Sequence, residues 1–103
     1  MHKGGKYDWI DTESLNRLIA GNCKAIARYY ATAPVTRLPN NIRIGNKMGI
    51  SYCITKGLFH DFSTGVGGDG IAFVQALTGC SFAEVPEMVA KGQARRKQST
   101  AFI

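Results

Sequence analysis

Residues 59–70 read "FHDFSTGVGGDG", and their last six, Gly65-Val66-Gly67-Gly68-Asp69-Gly70, satisfy the pattern G-x-G-x-x-G. That pattern is either a phosphate-cradling turn of a dinucleotide-binding fold or a glycine-rich reversal needed for packing alone. The dinucleotide reading requires strand, glycine turn, helix and then a parallel second strand with an acid about 20 residues on. Downstream of the expected helix there is only Gly79, a second helical segment and the end of the sequence. The segments upstream read as antiparallel hairpins, and Asp69 places a carboxylate where a pyrophosphate would sit. Glycines that permit a tight turn, with Asp69 as the cap of the following helix, explain the stretch without a cofactor. An NAD-type oxidoreductase is therefore set aside. A single backbone phosphate on free amides at that helix start remains compatible with the sequence.

Working outward, the segment after Asp69 carries Ile71, Phe73, Val74 and Leu77 at helical spacing and stops at Gly79. Ser81-Phe82-Ala83-Glu84 is a capping box that opens a last short helix, with Phe82, Val85, Met88 and Val89 inward and Pro86 in the first turn. Upstream, three short runs alternate in polarity: Ile42 and Ile44 about Arg43; Ile50, Tyr52 and Ile54; and Leu58, His60 and Phe62 about Phe59 and Asp61. Gly57 suits the left-handed position of the turn between the last two. The expectation is an antiparallel sheet of about three strands, with Phe62 in the core. Before it, Leu15, Leu18, Ile19, Ile26 and Tyr30 follow a cap at Asp11 or Thr12; Gly21-Asn22 makes this one weakened helix or two short ones. The fold class is α+β: an N-terminal helical segment, a small antiparallel β-sheet and two C-terminal helices. Residues 1–10 read as an arm, 11–91 as the domain and 92–103 as a basic tail or linker.

The chain has 103 residues, which allows one domain with a modest core. No apolar run approaches the about 20 residues of a membrane span. Three cysteines, Cys23, Cys53 and Cys80, are odd in number and widely spaced, which favours a reducing, cytoplasmic setting over a disulfide framework.

The formal charge is +6, and its distribution is uneven. No acid occurs between Glu13 and Asp61, whereas Arg17, Lys24, Arg28, Arg37, Arg43, Lys47 and Lys56 fall there; Lys91, Arg95, Arg96 and Lys97 follow Glu87. Such segregation suits a polyanion, with a solvated basic face as the plain alternative. The candidate contacts are Arg37, Arg43, Lys47, Lys56, Arg95, Arg96 and Lys97 for phosphates, and an exposed Tyr52 or Phe59 for stacking on unpaired bases. The acids are scattered and the two histidines lack nucleophile partners, so no catalytic constellation is visible and the chain is not expected to be an enzyme by itself.

"GLFHDFSTGVGGDGIAFVQALTGCSFAEVPEMVA", residues 57–90, resembles the second half of the zinc-ribbon domain at the N-terminus of bacterial and phage primases. There a Cys-Phe-x-Cys-Gly-x-Gly-Gly-Asp knuckle precedes an Ile-x-Phe-Val helix and a Ser-Phe-x-Glu-Ala helix. "WIDTESLNRLIAGNCKAIARYY", residues 9–30, is similar to the leading helix of phage primase–helicases. Aligning Gly67-Gly68-Asp69 with the family's Gly-Gly-Asp puts Asp61 and Thr64 at the knuckle cysteines. The earlier ligand pair falls near residues 38–46, "LPNNIRIGN", which contain neither Cys nor His. A structural zinc site needs four such ligands, so the resemblance implies a metal-free variant without cofactor, as in primase-like proteins of plasmids, phages and other mobile elements. It further implies an accessory module for single-stranded DNA template, working with a C-terminal Toprim-type primase domain or a helicase. The rival is a module that docks onto a replication protein without touching nucleic acid.

Overall fold

The computed structural model describes residues 11–45 and 49–101, with side chains as far as residue 93. Helix α1 (Thr12–Gly21) starts where Asp11 caps it, its Oδ1 accepting from the Ser14 N–H at 2.7 Å. Gly21-Asn22 splits the helical stripe in two, and α2 (Cys23–Tyr30) follows. Leu15 and Ile19 of α1 and Cys23, Ile26 and Ala27 of α2 are buried.

Five strands follow: β1 (Val35–Arg37), β2 (Asn41–Ile44), β3 (Ile50–Cys53), β4 (Leu58–Asp61) and β5 (Gly67–Asp69). Each pairs antiparallel with the one before it, giving the order β1-β2-β3-β4-β5. Gly57 takes φ +68° in the β3–β4 turn, as its position in the sequence predicts. The sheet is thus antiparallel but has two strands more than expected. Strand β5 is built from the glycine run itself, which is therefore a strand as well as a reversal. A Cβ on Gly67 would stand 3.0 Å from the Phe59 carbonyl oxygen, and one on Gly68 would stand 2.8 Å from the Ala72 Cβ. Glycine lets this edge strand lie flat against β4 and the helix beyond it.

That helix, α3 (Gly70–Thr78), is capped by Asp69 and ends at Gly79 in the left-handed region. Ser81 and Glu84 close the capping box around a 3₁₀ turn, Phe82–Glu84, which runs into α4 (Val85–Ala101). The last helix is longer than expected: the stretch from residue 92 to 101, read from sequence as a tail, continues α4. Gly92 does not stop it because it is buried against α2, where a Cβ would stand 3.2 Å from Ile26 Cγ1.

One face of the sheet meets the helices. Ile42, Tyr52 and Phe59 are register partners on that face. The Tyr52 ring stacks on Phe73 of α3 with centroids 4.7 Å apart, and Phe59 lies 6.0 Å from the same ring. Ile71, Val74, Val85 and Val89 complete this core. No described helix is long and apolar enough to cross a membrane.

Candidate nucleic-acid interface

In a strand, alternate residues face opposite ways. Fixing Ile42, Tyr52 and Phe59 inward therefore turns Thr36, Arg43, Ser51 and His60 outward, and these four are successive register partners across β1 to β4. Among the described residues the helices pack on the opposite face, so this row lies on an uncovered surface. Phe62, one residue beyond β4, joins it. Its N–H donates to the Gly49 carbonyl at 3.0 Å, which holds the segment beside the β2–β3 connection.

The centre of the surface is a three-residue stack. The Arg43 guanidinium carbon lies 5.2 Å from the Phe62 ring centroid, a cation–π contact. His60 approaches the same ring edge-on, centroids 4.6 Å apart at 67°. Phe62 is 43% exposed, and Leu58 (51%), two residues before His60 on β4, extends the apolar stripe. On the neighbouring strands the Asn41 side-chain amide donates to Ser51 Oγ at 3.1 Å. A planar cation, an exposed aromatic ring and fixed polar groups on one flat surface are what stacking of an unpaired base and pairing with its phosphate require.

The residues expected from sequence are divided by this geometry. Arg43 lies at the centre of the surface. Arg37 is exposed on edge strand β1, its Nη1 donating to the carbonyls of Leu38 and, at 3.1 Å, Pro39. Lys56 is exposed in the β3–β4 turn. Lys47 lies outside the described residues, as do the side chains of Arg95, Arg96 and Lys97, whose backbone belongs to α4. Tyr52 and Phe59 must be corrected as exposed stacking groups: they are 0% and 4% accessible, sealed against Phe73. Burial pushes the Tyr52 phenol up to about 12, and none of the described residues offers its hydroxyl a hydrogen bond. Phe62, expected in the core, takes the exposed role instead, with His60 beside it. The alternation along β4 groups Leu58, His60 and Phe62 correctly; the error is in which of its two faces points inward. Arg43 held the missing signal, because its isoleucine neighbours fix it outward and register then carries His60 out with it.

The start of α3 is closed to a ligand, contrary to the expectation of free amides there. Asp69 Oδ1 accepts from Ala72 N–H at 3.0 Å, and Asn16 Oδ1 of α1 accepts from Ile71 N–H at 3.0 Å. Asn16 Nδ2 in turn donates to Asp69 Oδ2 at 3.1 Å. Asp61 and Thr64, at the positions of the knuckle cysteines in the resembled family, organise a hydrogen-bonded turn. Asp61 Oδ1 accepts from Ser63 N–H at 2.9 Å and Ser63 Oγ at 2.7 Å, and Gly65 N–H returns to the Asp61 carbonyl at 2.8 Å. The Ser63 hydrogen bonds hold the Asp61 carboxyl below its ordinary range. Among the described residues no three His, Cys, Asp or Glu side chains stand close enough together to hold a metal ion.

The described carboxylates all have local partners. Asp11 and Asp69 cap helices, Glu84 closes a capping box, Asp61 holds its turn, and Glu13 and Glu87 pair with Arg17 and Lys91 one helical turn on. Lys24, Arg28 and Lys56, all exposed, pair with none of them. Compared with models of known protein families and with curated proteins, the chain matches none.

Proposed function

We propose that the protein binds single-stranded DNA on the uncovered face of its sheet, as a non-catalytic module of a primase or primase–helicase. The observation that carries this reading is the Arg43 guanidinium stacked on the exposed ring of Phe62, with His60 at its edge. A base laid on Phe62 gains stacking energy that is tolerant of sequence, while the Arg43 charge stands beside the adjacent phosphate. The local engagement of the carboxylates leaves a cationic field that attracts a polyanion. The resemblance of residues 57–90 to the primase ribbon supports the same role, beside a catalytic Toprim-type domain or a helicase. On this reading the hydrogen-bonded turn at Asp61 closes the loop that a metal closes in the family, and the setting is cytoplasmic.

Anisotropy of a labelled single-stranded oligonucleotide, titrated at several salt concentrations with duplex as competitor, tests the proposal. Binding is expected to weaken log-linearly with salt and to prefer single strands. Phe62→Ala should cost about 1–3 kcal/mol for the lost stacked base. Absence of binding at low salt would reject the reading. It would leave a second one, docking onto a replication protein, which the exposed pair Leu58 and Phe62 favours.

A further inference from the structure

The outward row His60, Ser51, Arg43 and Thr36 does not end in the middle of the sheet. It runs perpendicular to the strands and reaches the edge strand β1. Four strands at about 4.8 Å spacing make this row about 14 Å long. At its end the next residue of β1, Arg37, faces the opposite way and lies toward α2, against which β1 packs. The two are electrically close: burial pushes the Cys23 thiol of α2 up, and the Arg37 charge partly opposes that shift. Beside Cys23, Lys24 and Arg28 are spaced one helical turn apart on the exposed side of α2. No residue from Ser14 to His60 is acidic, so this edge and the strands beside it contain no carboxylate to neutralise them.

We infer that a bound single strand of DNA continues from the Phe62–Arg43 stack across β1 and around its edge to a second phosphate-binding surface formed by Arg37, Lys24 and Arg28. This rests on the sheet face being the primary site and adds direction and extent to it. The α2 surface is cationic through Lys24 and Arg28, so it contributes phosphate contacts. A short oligonucleotide occupies the sheet face alone, whereas a longer one reaches α2. Single-stranded sites on small folds span about 4–16 nucleotides, a range that accommodates both cases.

The test compares oligodeoxynucleotides of about 5 and about 15 nucleotides on the full chain and on Lys24→Glu/Arg28→Glu. Both residues are exposed and unpaired with any described carboxylate, so the thermal midpoint should hold; Lys24→Gln/Arg28→Gln serves if the reversal disturbs folding. The longer strand is expected to lose on the order of tenfold in affinity at low salt. Its salt slope should become shallower by about 1.4, two phosphates at about 0.7 each. The shorter strand should bind as before. Equal losses for both lengths, or none for the longer, would overturn the path while leaving the sheet site intact. Failure of the unaltered protein to bind either length would overturn the sheet site and the path together.

Discussion

Replacing Tyr52 by phenylalanine separates a core tyrosine from a functional one. Tyr52 is fully buried, its ring stacks on Phe73, and its hydroxyl finds no partner among the described residues. A buried hydroxyl without a partner costs roughly 1–3 kcal/mol. Its removal leaves a void of about 10 Å³, which at about 24 cal/mol per Å³ costs only about 0.2 kcal/mol. Ring, stacking and register are retained, so Tyr52→Phe should stabilise the fold by about 1–2.5 kcal/mol. For a domain of this size each kcal/mol raises the thermal midpoint by roughly 4–8 °C. Urea unfolding followed by circular dichroism should show a higher midpoint at unchanged slope. A lower midpoint would refute the reasoning, because it would mean that the hydroxyl is bonded in the native state. The alkaline limb gives a second readout. Burial raises the phenols of Tyr52 and Tyr30 from 10.0 to about 12. An acid whose native pKa is raised keeps its proton after the unfolded chain has lost it. Stability therefore falls as pH climbs from about 10 towards about 12, and Tyr52→Phe should flatten that fall while Tyr30 preserves part of it.

Asn16→Ala removes the acceptor for Ile71 N–H and the donor to Asp69, and should destabilise the fold by about 1–2 kcal/mol; an unchanged thermal midpoint would show that α1 does not secure α3. At the acid end, hydrogen bonds from Ser14, Ser63 and Ser81 hold the carboxyls of Asp11, Asp61 and Glu84 below their ordinary values. Groups lowered in this way stabilise the fold above their unfolded pKa, and that contribution is lost as pH falls through their native values. Urea midpoints should decline below about pH 4, and a flat profile down to pH 2 would contradict the assignment.

Local chemistry was the legible part of this sequence. Asp11, Asp69, Gly57, Gly79 and the Ser81–Glu84 box each act within about four residues, and each does what its type predicts. Tertiary decisions were not legible. Val35–Arg37 lies between Pro34 and Pro39 and is too short for a periodic signal, and Gly67–Asp69 has no strand propensity, so both edge strands were missed. Leu58, His60 and Phe62 form as plausible an inner face as Phe59 does, and only the packing of Phe59 and Tyr52 on Phe73 decides between them. A strand read one residue out of phase exchanges its faces completely, and here that exchange hid Phe62 within an otherwise correct strand. Gly92 reads as a helix stop until Ile26 is seen to require a residue without a side chain.

The neighbour-to-neighbour order of the five strands also bears on how the chain reaches its native state. Hairpins joined by short turns close little chain at a time, so the sheet has low contact order for β structure and can zip up quickly. Two links are distant: α2 on α4, where the Tyr30 hydroxyl donates to the Met88 carbonyl 58 positions on, and α1 on α3, where Asn16 meets groups 53 and 55 positions further along. Closing loops of this length costs more entropy than closing a hairpin, which places the docking of α1 late, after the main barrier. In stopped-flow experiments, loss of the Asn16 contacts should accordingly accelerate unfolding and leave the folding rate nearly untouched; slowed folding would move α1 into the nucleus.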